Sequence, residues 1–237
     1  MSAPKRSSSP TRALPMVAVA LAALAAGAFV ALRGGGGAAS DVAVDTARST
    51  AEAAELETLQ ATLERSQILP TNFRTVPPFA LRDVDGESLS EAVLEGRWSL
   101  MFFGYTNCPD VCPLTLSVMK DVVTELERRE VEPMQVLFVT VDPVRDTAAK
   151  MKEYVAFFDE DFVGVTGELD DIHTLTRELG IVAAFTANDE HPEAYVVDHT
   201  AAMLLVDPER RVRAKFSAPH ELDTIVADYV AIRTALN

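Results

Sequence analysis

Two long apolar segments constrain the fold of this chain more than any other feature of its sequence. They are Trp98–Phe103 (WSLMFF) and Met134–Val141 (MQVLFVTV). Between them, apolar residues recur at helical spacing from Val118 to Leu126. Strands without polar alternation are typical of a sheet that is covered on both faces. The two segments therefore predict a βαβ unit with parallel strands and a right-handed crossover.

The segments that follow this unit predict the rest of the domain. We expect a helix that Asp146 caps, a short strand at Phe162–Val165 and a helix that ends at Gly180. A hairpin then joins Ala201–Val206 to Val212–Phe216, whose alternation is typical of an edge strand, and a last helix closes the domain. This order of elements is that of a thioredoxin-like α/β sandwich, in which helices flank a mixed sheet.

The N-terminal part of the chain has the pattern of a membrane anchor. Residues 1–33 carry four basic side chains and no acidic one, and Met16–Leu32 is an unbroken apolar run of 17 residues. We expect a short transmembrane helix over residues 13–32, since such a run spans about 25 Å of a hydrocarbon core of roughly 30 Å. The positive-inside rule then places residues 1–12 in the cytoplasm. A cleaved signal peptide is the alternative, because small residues follow the run at 37–40.

Residues 33–67 predict a joint and a stalk. Four glycines at 34–37 form a flexible joint. The segment Asp41–Gln67 is rich in Ala and Glu, which favours a solvated, acidic helix. We expect the compact domain to occupy residues 68–237, and the stalk to hold it away from the membrane.

Composition excludes several classes of function. The chain has 21 basic and 36 acidic residues and a net charge of −15. Because residues 1–33 carry +4, the remainder carries −15 − (+4) = −19. So acidic a domain lacks the basic patches that bind phosphates, and we expect no nucleic-acid partner. Only two cysteines are present, which excludes a disulfide framework, a four-cysteine zinc site and a four-cysteine iron–sulfur cluster.

The two cysteines, Cys108 and Cys112, lie between the first parallel strand and its helix. Ligands of open α/β sheets bind outside the carboxyl ends of the strands, which is where this turn falls. Pro109 and Pro113 keep both cysteines from lying inside one regular helix, so we expect a stiffened loop with converging sulfurs. Cys112 should lie at the helix N-terminus, where the helix dipole lowers the pKa of a thiol.

The spacing of the cysteines leaves their chemistry open. Inert packing is disfavoured, because a polar Pro-Asp loop at a strand end is no core site. A structural disulfide would contribute little, since closing so short a loop removes little chain entropy. Redox chemistry and metal binding remain, and a three-residue spacer permits both.

A third ligand would favour a metal, and the chain has four histidines. His191 lies in a polar loop and His173 in a helix, where exposure or packing explains them. His199 precedes the strand Ala201–Val206, which should run antiparallel to the parallel pair and so start at their carboxyl edge. His220 could also reach this edge, although capping of the last helix explains it. Topology therefore prefers His199.

Two acidic residues accompany these positions. Asp142 ends the second parallel strand at the same edge. It could orient a ligand or a docking partner, or it could form an Asx-type turn before Pro143. Asp198 could fix the tautomer of the neighbouring His199.

Three motifs together resemble those of the Sco/SenC family. They are Gly104–Pro113 (GYTNCPDVCP), Val139–Thr147 (VTVDPVRDT) and Val197–Thr200 (VDHT). The resemblance covers about residues 68–237, with the motifs in the right order, and the single membrane segment is similar to that of the family. It implies a thioredoxin-like domain.

The resemblance also implies a copper site and a role. One copper ion, as Cu(I) or Cu(II), would bind Cys108, Cys112 and His199, and the protein would deliver it to the dinuclear copper site of cytochrome c oxidase. We expect the reduced pair to take up Cu(I) and an exposed loop to pass it on by ligand exchange. Binding should weaken at low pH and vanish once the pair is oxidised.

The alternative is a thiol–disulfide oxidoreductase that keeps the cysteines of the oxidase copper site reduced. Cys108 and Cys112 would then be the redox-active pair of an enzyme. A three-residue spacer, and Asp-His-Thr at 198–200 where thioredoxins have a cis-proline, favour metal binding. A peroxiredoxin-type peroxidase is less favoured, because Thr106 lacks the usual spacing to Cys108 and no distal resolving cysteine exists.

These roles predict a location and partners. We expect a single-pass protein of a bacterial inner membrane, anchored by its N-terminal helix, with the C-terminal domain in the periplasm or extracytoplasmic space. The expected partners are the copper-site subunit of cytochrome c oxidase and a copper donor or thiol reductant.

Overall fold

The computed structural model describes residues 38–186 and 195–236, with the backbone alone at 38–45, 185, 186, 196, 198 and 199. The chain divides into two compact units, Met1–Glu52 and Ala53–Asn237. The predicted cytoplasmic residues 1–12 and membrane helix 13–32 lie outside the described residues. Among the helices that are described, none combines the length and the apolar character needed to span a membrane.

Five α-helices, one 3-10 helix at Glu91–Leu94 and ten strands lie in the described part of the chain. The helices are α1 Ala38–Gln60, α2 Val111–Arg128, α3 Ala148–Phe158, α4 Leu169–Leu179 and α5 Leu222–Leu236. The strands are β1 Gln67–Ile68, β2 Leu81–Asp83, β3 Ser88–Leu89, β4 Ser99–Gly104, β5 Gln135–Thr140, β6 Val163–Thr166, β7 Ala183–Thr186, β8 Val196–His199, β9 Met203–Val206 and β10 Val212–Phe216.

Eight of these strands form one mixed sheet in the order β1-β10-β9-β4-β5-β6-β2-β3. At its centre β4 and β5 run parallel, in register from Ser99↔Gln135 to Gly104↔Thr140. Strand β6 continues the parallel set, while β9 runs antiparallel to β4 on the other side. The predicted βαβ unit and the mixed, helix-flanked sheet are confirmed.

Strand β4 lies at the centre of the core, because it is buried along its whole length. The predicted stripe of α2 packs onto the sheet, with Met119, Val122 and Leu126 buried. Helix α2 also packs against α5, and α3 packs against β6. Gly180 ends α4 in the left-handed conformation with φ 71°, as the sequence predicts.

Two local predictions are wrong. The cap of α3 is Thr147, whose side chain accepts a hydrogen bond from the Lys150 N–H, and not Asp146. Strand β10 is not the edge of the sheet, because β1 pairs with it through Gln67↔Lys215. A strand of two residues is too short to show a periodic pattern, so β1 could not be predicted from sequence.

The hairpin of β7 and β8 is a second, separate sheet that the sequence pattern does not predict. It pairs Ala183 with His199 and Thr186 with Val196. The hairpin ends immediately before β9, which lies beside β4 in the main sheet. It therefore brings the backbone of His199 towards the carboxyl edge of the parallel strands.

Asp228 of α5 anchors the segment that leads into the main sheet. Its buried carboxylate accepts hydrogen bonds from the backbone N–H groups of Glu64, Arg65 and Ser66, at 2.7, 3.2 and 2.9 Å. Of the three donor residues Ser66 is buried, while Glu64 and Arg65 are exposed. The contact holds the chain in place just before β1.

We expect Asp228→Ala to lower the free energy of unfolding by about 1–3 kcal/mol, because it leaves the buried N–H of Ser66 unpaired. Urea denaturation of the domain measures this loss. Asp121→Ala, on the exposed side of α2, is the matched control and should leave stability nearly unchanged. Equal losses in the two variants would contradict the role of Asp228.

Candidate metal and dithiol site

The cysteine loop connects the end of β4 to the start of α2. Cys108 lies before the helix and donates its backbone N–H to the Tyr105 carbonyl at 3.2 Å, which closes a turn. Cys112 is the second helical residue, and its N–H points to Cys108 Sγ at 3.4 Å. Neither cysteine forms a disulfide in the described part of the chain. The fold therefore brings the two side chains together at the carboxyl edge of the sheet.

The sulfur atoms are recessed, so the predicted exposed loop is wrong for the cysteines themselves. Cys108 is 9% exposed and Cys112 0% exposed. The residues between them are more open, since both Pro109 and Asp110 are exposed. A partner would meet this outer part of the loop first and reach the sulfur of Cys108 before that of Cys112.

The predicted lowering of the Cys112 pKa is also wrong. Burial raises the pKa of this thiol, and the neighbouring Cys108 raises it further, against a hydrogen bond from the Tyr105 backbone that lowers it. The helix N-terminus lies where the sequence predicts it, but removing a thiolate from water costs more than the dipole of α2 returns. Cys112 is therefore a protonated thiol at neutral pH.

Gly104 makes room for the Cys112 sulfur. A Cβ atom at this position would lie 2.8 Å from Cys112 Sγ and 2.7 Å from Cε2 of Phe138. Phe138 in turn packs against Tyr154, with ring centroids 5.6 Å apart. The buried Tyr154 hydroxyl has no hydrogen-bond partner among the described residues, and burial raises its pKa. The sulfurs thus rest on an apolar, aromatic floor that keeps water out.

Asp146 fastens the cysteine loop to the end of β5. It is fully buried, and its carboxylate accepts hydrogen bonds from the N–H and hydroxyl of Thr106, at 3.0 and 2.5 Å, and from the Thr140 hydroxyl at 2.7 Å. Sequence reasoning assigned Asp146 to a helix cap and missed this role. Its only signal was its place in the second motif, next to the end of a parallel strand.

Asp142 does not face a docking partner, because it is 0% exposed. Its carboxylate accepts hydrogen bonds from Arg145 Nε at 2.5 Å and from the Tyr195 hydroxyl at 2.6 Å. Burial and the bond to Asp142 raise the pKa of Tyr195 to about 12, so this hydroxyl remains a donor. Asp142 therefore holds an arginine and a tyrosine.

The backbone of His199 ends β8, and its paired residue is Ala183. The strand that follows begins at Met203, opposite Phe102 near the carboxyl end of β4. The chain thus passes this edge where the sequence predicts it. The ring of His199 and the side chain of Asp198 lie outside the described side chains.

Of the other described histidines, His220 contacts the backbone before β9 and His173 lies on α4. His220 Nε2 lies 2.9 Å from the Ala201 carbonyl oxygen, so a bond to the start of the β9 segment replaces the predicted cap. Burial lowers the pKa of His220. His173 is half-buried on α4, and His191 lies outside the described residues. Among the described side chains, no three His, Cys, Asp or Glu residues group closely enough to hold a metal ion.

Fold and site together define the class of the protein. It is a thioredoxin-like α/β protein with a dithiol in the loop that follows the first strand of its βαβ unit. A family model described as SCO1/SenC matches residues 69–233. The chain belongs to the SCO1/SenC family.

Individual relatives agree with this assignment. A putative copper-binding protein of Stutzerimonas stutzeri is 35% identical over 150 residues, which cover 63% of this chain and 72% of the relative. Arabidopsis thaliana ScoI, solved with copper bound, is 30% identical with a TM-score of 0.64, over 68% of this chain and 99% of that one. BsSco, described as a member of the Sco family of cytochrome c oxidase assembly proteins with a disulfide switch, is 25% identical with a TM-score of 0.55, over 72% of this chain and 99% of that one.

We expect Gly104→Ala to displace Cys112, because the added methyl group overlaps its sulfur. Gly167→Ala is the matched control, since its methyl group would lie 2.7 Å from Leu81 Cδ2 and far from the cysteines in the chain. Overpacking should cost each variant about 1–3 kcal/mol of stability. Only Gly104→Ala should speed alkylation of Cys112 by iodoacetamide, as measured by mass spectrometry. Equal protection of Cys112 in both variants would contradict the close approach.

Proposed function

We propose that this protein is a membrane-anchored copper chaperone for cytochrome c oxidase. It binds one copper ion through Cys108, Cys112 and His199 and delivers the ion to the dinuclear copper site of the oxidase. The observation that carries the proposal is the pair of reduced cysteines held together at the carboxyl edge of the sheet. Family membership and the copper-bound relative support the choice of metal.

The donor set fits copper. Two thiolates on an apolar floor are soft ligands that select Cu(I), and an imidazole suits both copper oxidation states. The Cys112 N–H already points to Cys108 Sγ, so it would stabilise a thiolate at that sulfur. His199 is the third ligand in this proposal because its strand leads to the same sheet edge, where β9 begins beside β4.

Burial of Cys112 couples copper binding to proton release. Its pKa is raised above that of an ordinary thiol, so the reduced apo protein carries the proton at neutral pH. A thiol must lose its proton to become a metal ligand, and copper affinity therefore falls as the pH falls. An oxidised Cys108–Cys112 pair offers no thiolate, so only the reduced protein takes up copper.

Delivery follows from the unequal exposure of the two sulfurs. Cys108 is the one that incoming cysteines of the oxidase subunit reach, while Cys112 stays enclosed by Gly104 and Phe138. Ligand exchange would thus begin at Cys108. In this proposal residues 13–32 anchor the protein in a bacterial inner membrane, and the domain works on the extracytoplasmic side, supplied by a copper donor or a thiol reductant.

A thiol–disulfide oxidoreductase is the second candidate, and the same unequal exposure favours it. An exposed thiolate attacks a substrate disulfide and its buried neighbour resolves the mixed disulfide. Cys108 would attack and Cys112 would resolve, which transfers two electrons to the cysteines of the oxidase copper site. The disulfide switch ascribed to BsSco supports keeping this candidate.

Copper titration of the reduced protein separates the candidates. We expect one copper per chain, and His199→Ala should weaken Cu(II) binding by more than roughly 100-fold, because loss of a ligand exceeds loss of a supporting group. The disulfide should still form in this variant. His220→Ala is the matched control and should bind copper normally, because its ring is engaged with Ala201.

Two results would contradict the proposal. Normal binding by His199→Ala together with impaired binding by His220→Ala would reject the ligand assignment. A wild-type protein that binds no copper but reduces a protein disulfide would establish the oxidoreductase instead.

A further inference from the structure

Arg145 lies between the cysteine loop and the strand that carries His199. Its Nη1 donates a hydrogen bond to the Tyr195 carbonyl at 2.9 Å, and its Cζ lies 3.5 Å from the centroid of the Tyr195 ring. The same Cζ lies 5.7 Å from the centroid of the Tyr105 ring. One guanidinium therefore contacts both sides of the proposed copper site.

Asp142 holds this contact in a fixed geometry. The carboxylate binds Arg145 Nε and the Tyr195 hydroxyl at once, and the Asp142 N–H is itself held by the Thr140 hydroxyl at 2.9 Å. Tyr195 is thus contacted at its ring, its hydroxyl and its backbone carbonyl. A lysine could not make the same contacts, since only a planar guanidinium stacks on a ring while it donates hydrogen bonds in its own plane.

The two tyrosines that Arg145 contacts adjoin the segments that carry the proposed copper ligands. Tyr195 immediately precedes β8, and His199 ends that strand four residues later. Tyr105 accepts the N–H of Cys108 through its carbonyl, and its hydroxyl receives a hydrogen bond from the backbone of Val197 within β8. Tyr105 therefore joins the cysteine loop to β8 directly through Val197. Arg145, from the segment after β5, joins them a second time by contacting both Tyr105 and Tyr195.

We propose that Arg145 is a positioning residue that fixes β8, and with it the imidazole of His199, against the cysteine pair. The inference rests on the proposed function, because it takes His199 as a copper ligand. In this scheme Arg145 acts through Tyr195 and the strand that follows it. Thiolates are the softer ligands that Cu(I) prefers, whereas Cu(II) depends more on the imidazole, so Arg145 controls retention of Cu(II) above all.

The test is a double-mutant cycle on Cu(II) affinity in the full chain, with Arg145→Gln and His199→Ala. We expect Arg145→Gln to lower Cu(II) affinity by roughly 10- to 100-fold, as loss of a supporting group does at metal sites. Its Cu(I) affinity should change less, and its Cu(II) electron paramagnetic resonance spectrum should lose nitrogen coupling. Adding Arg145→Gln to His199→Ala should cause no further loss, because the ligand that Arg145 positions is already absent.

Two further variants keep the test decisive. Arg129→Gln is the matched control, since Arg129 forms an ion pair with Glu125 at 2.6 Å near the far end of α2, and it should leave copper affinity unchanged. Tyr195→Phe removes only the hydroxyl bond to Asp142 and keeps the ring under Arg145. It should give a smaller loss of Cu(II) affinity even if Arg145→Gln fails to fold.

The outcomes separate this inference from the proposed function. Unchanged Cu(II) affinity in a folded Arg145→Gln variant or in Tyr195→Phe would overturn the positioning role of Arg145. If His199→Ala still lowered Cu(II) affinity in that case, the assignment of His199 as a ligand would stand. An equal loss from Arg145→Gln with and without His199 would also overturn it, because the effect would then be structural. Normal Cu(II) binding by His199→Ala would reject the ligand assignment itself.

Discussion

The parallel pairing of β4 with β5 is the constraint on which the rest of the molecule depends. Because both strands run in the same direction and end in register at Gly104↔Thr140, their following segments emerge at one edge of the sheet. One segment is the cysteine loop, and the other carries Asp142, Arg145 and Asp146. Asp146 joins the two through Thr106 and Thr140, so the loop is fixed where the sheet ends.

Enclosure of the dithiol gives the site its chemical character. The space left by Gly104 and the ring of Phe138 lets the Cys112 sulfur sink below the surface, and desolvation then keeps it protonated. The same enclosure excludes water and oxidants from one sulfur while Cys108 stays within reach. A soft metal that displaces the proton is favoured in such surroundings, and an exposed thiolate pair would lack this protection.

The sequence predicts a helix or strand where apolar residues form a long run or a regular period. It does not predict the elements and contacts that depend on residues far apart in the chain. The strands β4 and β5 and the helix between them follow from patterning. The strands β7 and β8 do not, since their sequences, AAFT and VVDH, show neither alternation nor an unbroken apolar run. Position at a helix start suggested an acidic Cys112, but only the packed structure reveals its burial. The bonds of Asp142 to Arg145 and Tyr195, which lies 53 residues away, have no local signature.

Copper X-ray absorption spectroscopy of the Cu(I)-loaded protein and of its His199→Ala variant would identify the copper ligands. We expect scattering from two sulfur atoms and one imidazole in the wild-type protein, with the imidazole contribution lost in the variant. Imidazole scattering that persists without His199, or copper bound by a single sulfur, would contradict this expectation.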